Sequence, residues 1–130
     1  MNLNSKKVVV KKSAASVCDF LSDVKNFEQL MPESISKFEV IRENAFVFAL
    51  KGMPEIALEV KEINSPNSVV LGAISDKIPF SLKVEVDAID ECTSNAEFLF
   101  SGKFNSMMAM MIKSPLSKFL ETLAENLKEI

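Results

Sequence analysis

The stretch MMAMMIKSPLSKFLETLAENLKEI, residues 107–130, carries the strongest helical pattern in the chain. Met108, Ile112, Leu116, Phe119, Leu120, Leu123, Leu127 and Ile130 recur at three- and four-residue steps, the spacing that places side chains on one face of an α-helix. A helix with such a face must lie on another apolar layer. Its first turns differ from its last. Met107, Met110 and Met111 project from the side that later turns give to Lys118, Glu121, Glu125 and Glu129, so the start of the helix is apolar nearly all round. Pro115 lies within the stripe. It either kinks one long helix or opens a second segment capped by Ser114.

The layer beneath this helix is legible upstream, where the period changes to two from Ser34 to about Phe104. ISKFEVIRE turns Phe38 and Val40 inward, AFVFALK turns Phe46, Phe48 and Leu50, and EIALEVKEI turns Ile56, Leu58 and Val60. SVVLGAIS is more apolar throughout. PFSLKVEVDA brings in Phe80, Leu82, Val84 and Val86, and SNAEFLFSGKF closes the series with Phe98 and Phe100. The links REN, KGMP, NSPN, SDK and DECTSN are short and carry turn residues, which implies antiparallel hairpins.

Before the sheet, KKVVVKK reads as a strand with Val8 and Val10 on one face, and Ser13 suits a helix N-cap. Val17, Phe20, Leu21 and Val24 follow at helical spacing. KNFEQLMP then gives a second short helix stopped by Pro32, with Asn26 as its expected cap and Phe27, Leu30 and Met31 as its buried side. No repeat, linker or low-complexity run interrupts the chain, so residues 1–130 are expected to form one domain.

Composition bounds the function. Hydrophobic residues make up 48% and charged residues 25%, a globular balance that lets a chain of this length bury a core without staples. The net charge of −3 offers no large positive field. Lys6, Lys7, Lys11 and Lys12 alternate with valines and hold no aromatic among them to stack a base, so no nucleic-acid partner is expected. MNLNSKKVVVKK lacks the apolar run of a signal peptide, and the longest apolar run, Met107 to Ile112, is too short to span a bilayer. The expectation is a cytoplasmic protein with no integral membrane segment. Cys18 and Cys92 make neither a CxxC nor a metal spacing and read as free thiols.

Groups for catalysis are few. There is no histidine, tyrosine or tryptophan, which removes the commonest general base and every Ser-His-Asp, Cys-His and His-metal arrangement. The strand carboxylates Glu39, Glu59, Glu85, Asp87 and Glu97 alternate with inward residues and should face solvent. Arg42, the one arginine, reads as a partner in a surface salt bridge. No phosphate-binding loop, dinucleotide fingerprint or calcium loop occurs. We expect no catalytic set, no metal and no cofactor, and lean towards a protein that is not an enzyme.

The order of strand, two short helices, six antiparallel strands and a long terminal helix resembles the helix-grip fold of the START/Bet v 1-like superfamily, also called SRPBCC or polyketide-cyclase-like. VVVKKSAASVCDFLSDVKNFEQLMP, residues 8–32, looks like the family's opening strand and helices, and MIKSPLSKFLETLAENLKEI, residues 111–130, like its gripping helix. The resemblance implies an α+β fold in which a curved antiparallel sheet of about seven strands wraps around the C-terminal helix. It also implies a cavity between the two that accepts an apolar ligand. The plant allergen branch has a glycine-rich loop where this chain has KGMPE. A nuclear-transport-factor-like α+β fold is the structural competitor, and the long terminal helix counts against it.

On that reading the wall of the cavity would comprise Met31, Phe46, Phe48, Phe80, Phe98, Phe100, Met107, Met108, Met111 and Ile112. Flexible thioethers suit a mouth that adapts to its ligand. They equally suit irregular core gaps under a covering loop, or a contact surface for a protein partner. The expected partner is a small apolar molecule, bound by a monomer or weak dimer. A cyclase- or aromatase-type enzyme and an interaction module like the chaperone activators of this fold are the alternatives.

Overall fold

The computed structural model describes residues 2–33, 35–50, 55–74, 80–103 and 106–130. The KGMP and SDK turns and the expected strand end at Phe104 lie outside them.

The chain begins with two short strands, β1 (Asn2–Asn4) and β2 (Val8–Val10). Both pair antiparallel with the same later strand, Leu3 opposite Phe100 and Val8 opposite Ala96. Between them Ser5 is buried, donating its N–H to the Phe98 carbonyl at 2.8 Å and accepting the Phe98 N–H on Oγ at 3.0 Å. Among the described residues the sheet therefore has eight strands, one more than the alternation predicts. With Leu3 as its only apolar residue, β1 offers no period to read, and the ladder places it.

Helix α1 (Ala14–Ser22) is capped by Ser13, whose Oγ accepts from the Ser16 N–H at 3.2 Å, and it buries Val17, Cys18 and Leu21. A 3₁₀ turn (Val24–Asn26) leads into α2 (Phe27–Leu30), which buries Phe27 and Leu30. Asn26 does not cap α2 as expected. Its Nδ2 instead donates at 2.9 Å to the Phe20 carbonyl near the end of α1, which also accepts the Asp23 N–H at 3.4 Å.

Six strands follow: β3 (Ile35–Arg42), β4 (Ala45–Leu50), β5 (Ile56–Asn64), β6 (Ser68–Ala73), β7 (Phe80–Asp90) and β8 (Thr93–Gly102). Each pairs antiparallel with the next, and β1 and β2 add to the free side of β8. The order is β1-β8-β7-β6-β5-β4-β3, with β2 beside β8.

Helix α3 (Ser106–Lys128) runs unbroken through Pro115, so Ser114 caps nothing. The continuous helix keeps Ile112, Leu116, Phe119, Leu120, Leu123, Ala124 and Leu127 buried on one stripe. It touches β1, β2 and β8 at one edge of the sheet, and through Phe119, stacked on Phe48 at 4.8 Å, it reaches β4 near the other. The sheet thus grips the helix. Three polar contacts hold its C-terminal half: the Lys6 N–H donates to Glu121 Oε1 at 2.9 Å, the Lys6 ammonium pairs with Glu125, and Asn126 Nδ2 donates to the Leu30 carbonyl at 2.8 Å.

Candidate functional site

The interior between sheet and helix is occupied by aromatic rings. Phe27 and Phe46 stack at 5.2 Å between centroids, Phe38 approaches Phe46 at 5.3 Å, and Phe80 packs on Phe100 at 5.7 Å. Phe46, Phe48, Phe98, Phe100 and Ile112 are buried. Phe80, Met31 and Met108 are half-buried and packed against that core. Met107 and Met111 stand in solvent, 75% and 69% exposed, beside Met110 at 83%.

Where helix and sheet separate, a cleft of about 250 Å³ opens between Pro32, Leu50, Ser114, Pro115, Lys118, Phe119 and Thr122. Alternating strand direction explains its position. The ends of β4, β6 and β8 and the starts of β3, β5 and β7 share one end of the sheet, and α3 starts there shortly after β8 stops. Leu50 closes β4 and Pro32 precedes β3, and both meet the middle turns of α3, from Ser114 to Thr122.

None of the lining residues is among those expected from the sequence to form the cavity wall, although Phe119 joins them to Phe48. The signal for them was a second stripe. Met107, Met111, Pro115, Lys118 and Thr122 follow one another at three- and four-residue steps on the flank of the buried stripe.

A broader groove of about 660 Å³ lies between the end of α1 and the β3–β4 hairpin, lined by Asp19, Ser22, Asp23, Lys25, Val40, Arg42 and Glu43. Its polar groups are partly engaged locally. Asp23 Oδ1 accepts from the Lys25 N–H at 3.1 Å, and Arg42 makes a surface ion pair with Glu59. Hydrogen bonds from Lys61 and then Arg42, with both positive charges, hold the Glu59 carboxyl below its ordinary pKa. Burial, and then the Asp19 charge, push the Cys18 thiol up, the direction that disfavours the thiolate. Cys92 is a free exposed thiol.

Among the described residues no group of His, Cys, Asp or Glu is arranged to hold a metal ion, and no buried side-chain nitrogen or oxygen lacks a partner. No described helix is long and apolar enough to cross a membrane. What the site presents is therefore an apolar floor with a polar lip, carrying a hydroxyl on either side of one ammonium.

The fold so described is shared with solved structures. A START superfamily protein from Mycobacterium smegmatis superposes with a TM-score of 0.72 at 16% identity, over 98% of this chain and 94% of that one. A conserved protein from Geobacillus kaustophilus gives 0.72 at 14%, over 99% and 93%. Norcoclaurine synthase from Thalictrum flavum, in complex with dopamine and hydroxybenzaldehyde, gives 0.73 at 11%, over 99% and 84%. This chain has the START/Bet v 1-like helix-grip fold. No protein-family model matches the sequence, and no curated protein is recognisably similar to it.

Proposed function

We infer that the protein binds a small apolar molecule at the mouth of the grip, in the cleft between the end of β4 and α3. The observation that carries this reading is the cleft itself, where the half-buried Pro115 and the edges of the buried Leu50 and Phe119 form an apolar floor between helix and sheet. The deeper phenylalanines Phe46, Phe48, Phe98 and Phe100 support that floor, and Met111 and Met107 extend it along the helix. A ligand that removed on the order of 100 Å² of apolar surface from water, counted over both partners, would gain about 2.5 kcal/mol before the costs of ordering. Norcoclaurine synthase, solved with two small aromatic molecules, supports the scaffold's capacity to hold such ligands.

Native mass spectrometry of the protein, with and without a cellular lipid extract, tests the reading. A bound small molecule is expected with the extract. Thr122→Trp, whose larger side chain fills the cleft from a half-buried position, should lose it while circular dichroism stays unchanged. An unliganded mass in every condition, or a ligand retained by folded Thr122→Trp, would overturn the site.

The exposure of Met107, Met110 and Met111 favours a second reading, in which the first turns of α3 form a contact surface for a protein partner. A mass that rises with concentration and returns to the monomer value in Met110→Asp would support it.

A further inference from the structure

Two parallel rows of α3 define the cleft chemically. Met111, Pro115 and Phe119 stand four residues apart and are apolar, while Ser114, Lys118 and Thr122 stand four apart beside them and are polar. Five of these six line the cleft, and none of its lining residues is a carboxylate. Residues 98–120 contain no Asp or Glu at all, whereas Lys103, Lys113 and Lys118 fall among them. The next acid on the helix, Glu121, already accepts the Lys6 N–H.

The polar row is also unspent. Neither Lys118 Nζ nor Ser114 Oγ makes a hydrogen bond or ion pair with a described residue. Thr122 Oγ1 donates to the Lys118 carbonyl at 2.9 Å and so keeps its lone pairs for an incoming donor. By contrast, Lys6, Lys37, Lys61 and Lys83 are each paired with a carboxylate. A cleft floored by apolar side chains, beside an unpaired ammonium and a free hydroxyl, is complementary to one kind of molecule.

We propose that the cleft selects an anionic amphiphile, an apolar chain ending in a carboxylate or similar acidic head. The chain would lie on Leu50, Pro115 and Phe119 and run towards Met111. The head would accept hydrogen bonds from Lys118 Nζ and Ser114 Oγ, a charge-assisted arrangement stronger than a neutral one. This rests on the ligand-binding reading above and adds the head group to it.

The test compares decanoate, methyl decanoate and decylamine, below the concentrations at which they aggregate, by calorimetry and by the methyl signals of methionine-labelled protein. Decanoate should bind the wild type about tenfold more tightly than its ester, the size of one charge-assisted hydrogen bond. Decylamine should bind more weakly than either, and the Met111 methyl should shift with decanoate. In Lys118→Met, decanoate should fall to the level of the ester, with the ester itself unchanged. Equal binding of decanoate and ester to the wild type, or no loss of decanoate in Lys118→Met, overturns the acidic head and leaves the apolar site standing. Failure of both decanoate and ester to bind the wild type overturns the site and the head together.

Discussion

The two halves of α3 are made of similar material and put to opposite use. From Leu116 onward the apolar residues are buried on one stripe, and Lys6 and Asn126 fasten the helix to the first strands and to α2. Before Pro115, Ile112 is buried, Met108 is half-buried, and three methionines face solvent. One helix thus combines an anchored end with an end whose apolar surface is uncovered. The anchored end contributes to stability, because its apolar surface is already removed from water, whereas the exposed methionines contribute little to folding and leave apolar surface that a proposed ligand or partner could cover.

Substitutions separate the halves. Leu120→Ala should cost about 3 kcal/mol in urea unfolding, since it opens a cavity in a packed site, whereas Met110→Ala should change stability by less than about 0.5 kcal/mol. Equal costs would erase the distinction. Pro115→Ala should stabilise the fold by about 1–2 kcal/mol, because it restores the N–H that an interior proline removes. A loss of stability on that change would show the proline ring to be a packed part of the cleft wall. Asn126→Ala should cost about 1 kcal/mol and speed amide exchange in α2, with little effect on Met111.

The smallest expected effect concerns pH. The hydrogen bond and charge of Lys6 hold the Glu125 carboxyl below its ordinary pKa, while Glu125 raises that of Lys6. A depressed folded-state pKa means stability that is present above the ordinary glutamate range and is lost as pH falls through the folded value. The raised lysine adds stability that is lost only as pH rises through the folded lysine pKa. Lys6→Met should therefore narrow the gap between thermal midpoints at neutral and strongly acid pH, modestly because the pair is exposed. An unchanged gap would remove the Lys6 ammonium from the anchoring of α3, leaving only its backbone N–H on Glu121.

The architecture was legible because burial imposes period. The stripe through Leu116, Leu120 and Leu127 and the alternation through Phe80, Leu82, Val84 and Val86 each specify an element and its inner face. Elements positioned by distant partners were not legible. Asn2–Asn4 becomes a strand only through β8, and Asn26 finds a carbonyl of α1 rather than capping the helix it precedes. The site was harder still. Periodicity shows that Phe46 and Phe48 face inward, but not whether the space opposite is open, and here other rings fill it. Lys118 reads as one more solvated charge until Pro32 and Leu50, remote in sequence, make it the lip of a cleft.

Pairing β1 and β2 with β8 has a consequence for synthesis. Lys12 and Ser94, joined where these strands meet, are 82 residues apart, so at roughly 5–20 residues per second the first strands wait about 4–16 s for their partner to be made. The emerging chain holds VVV exposed over that interval, and α3, made after β8, completes the core beside it. Folding of this protein is therefore a closure between segments far apart in sequence, β1 and β2 meeting β8 and then α3.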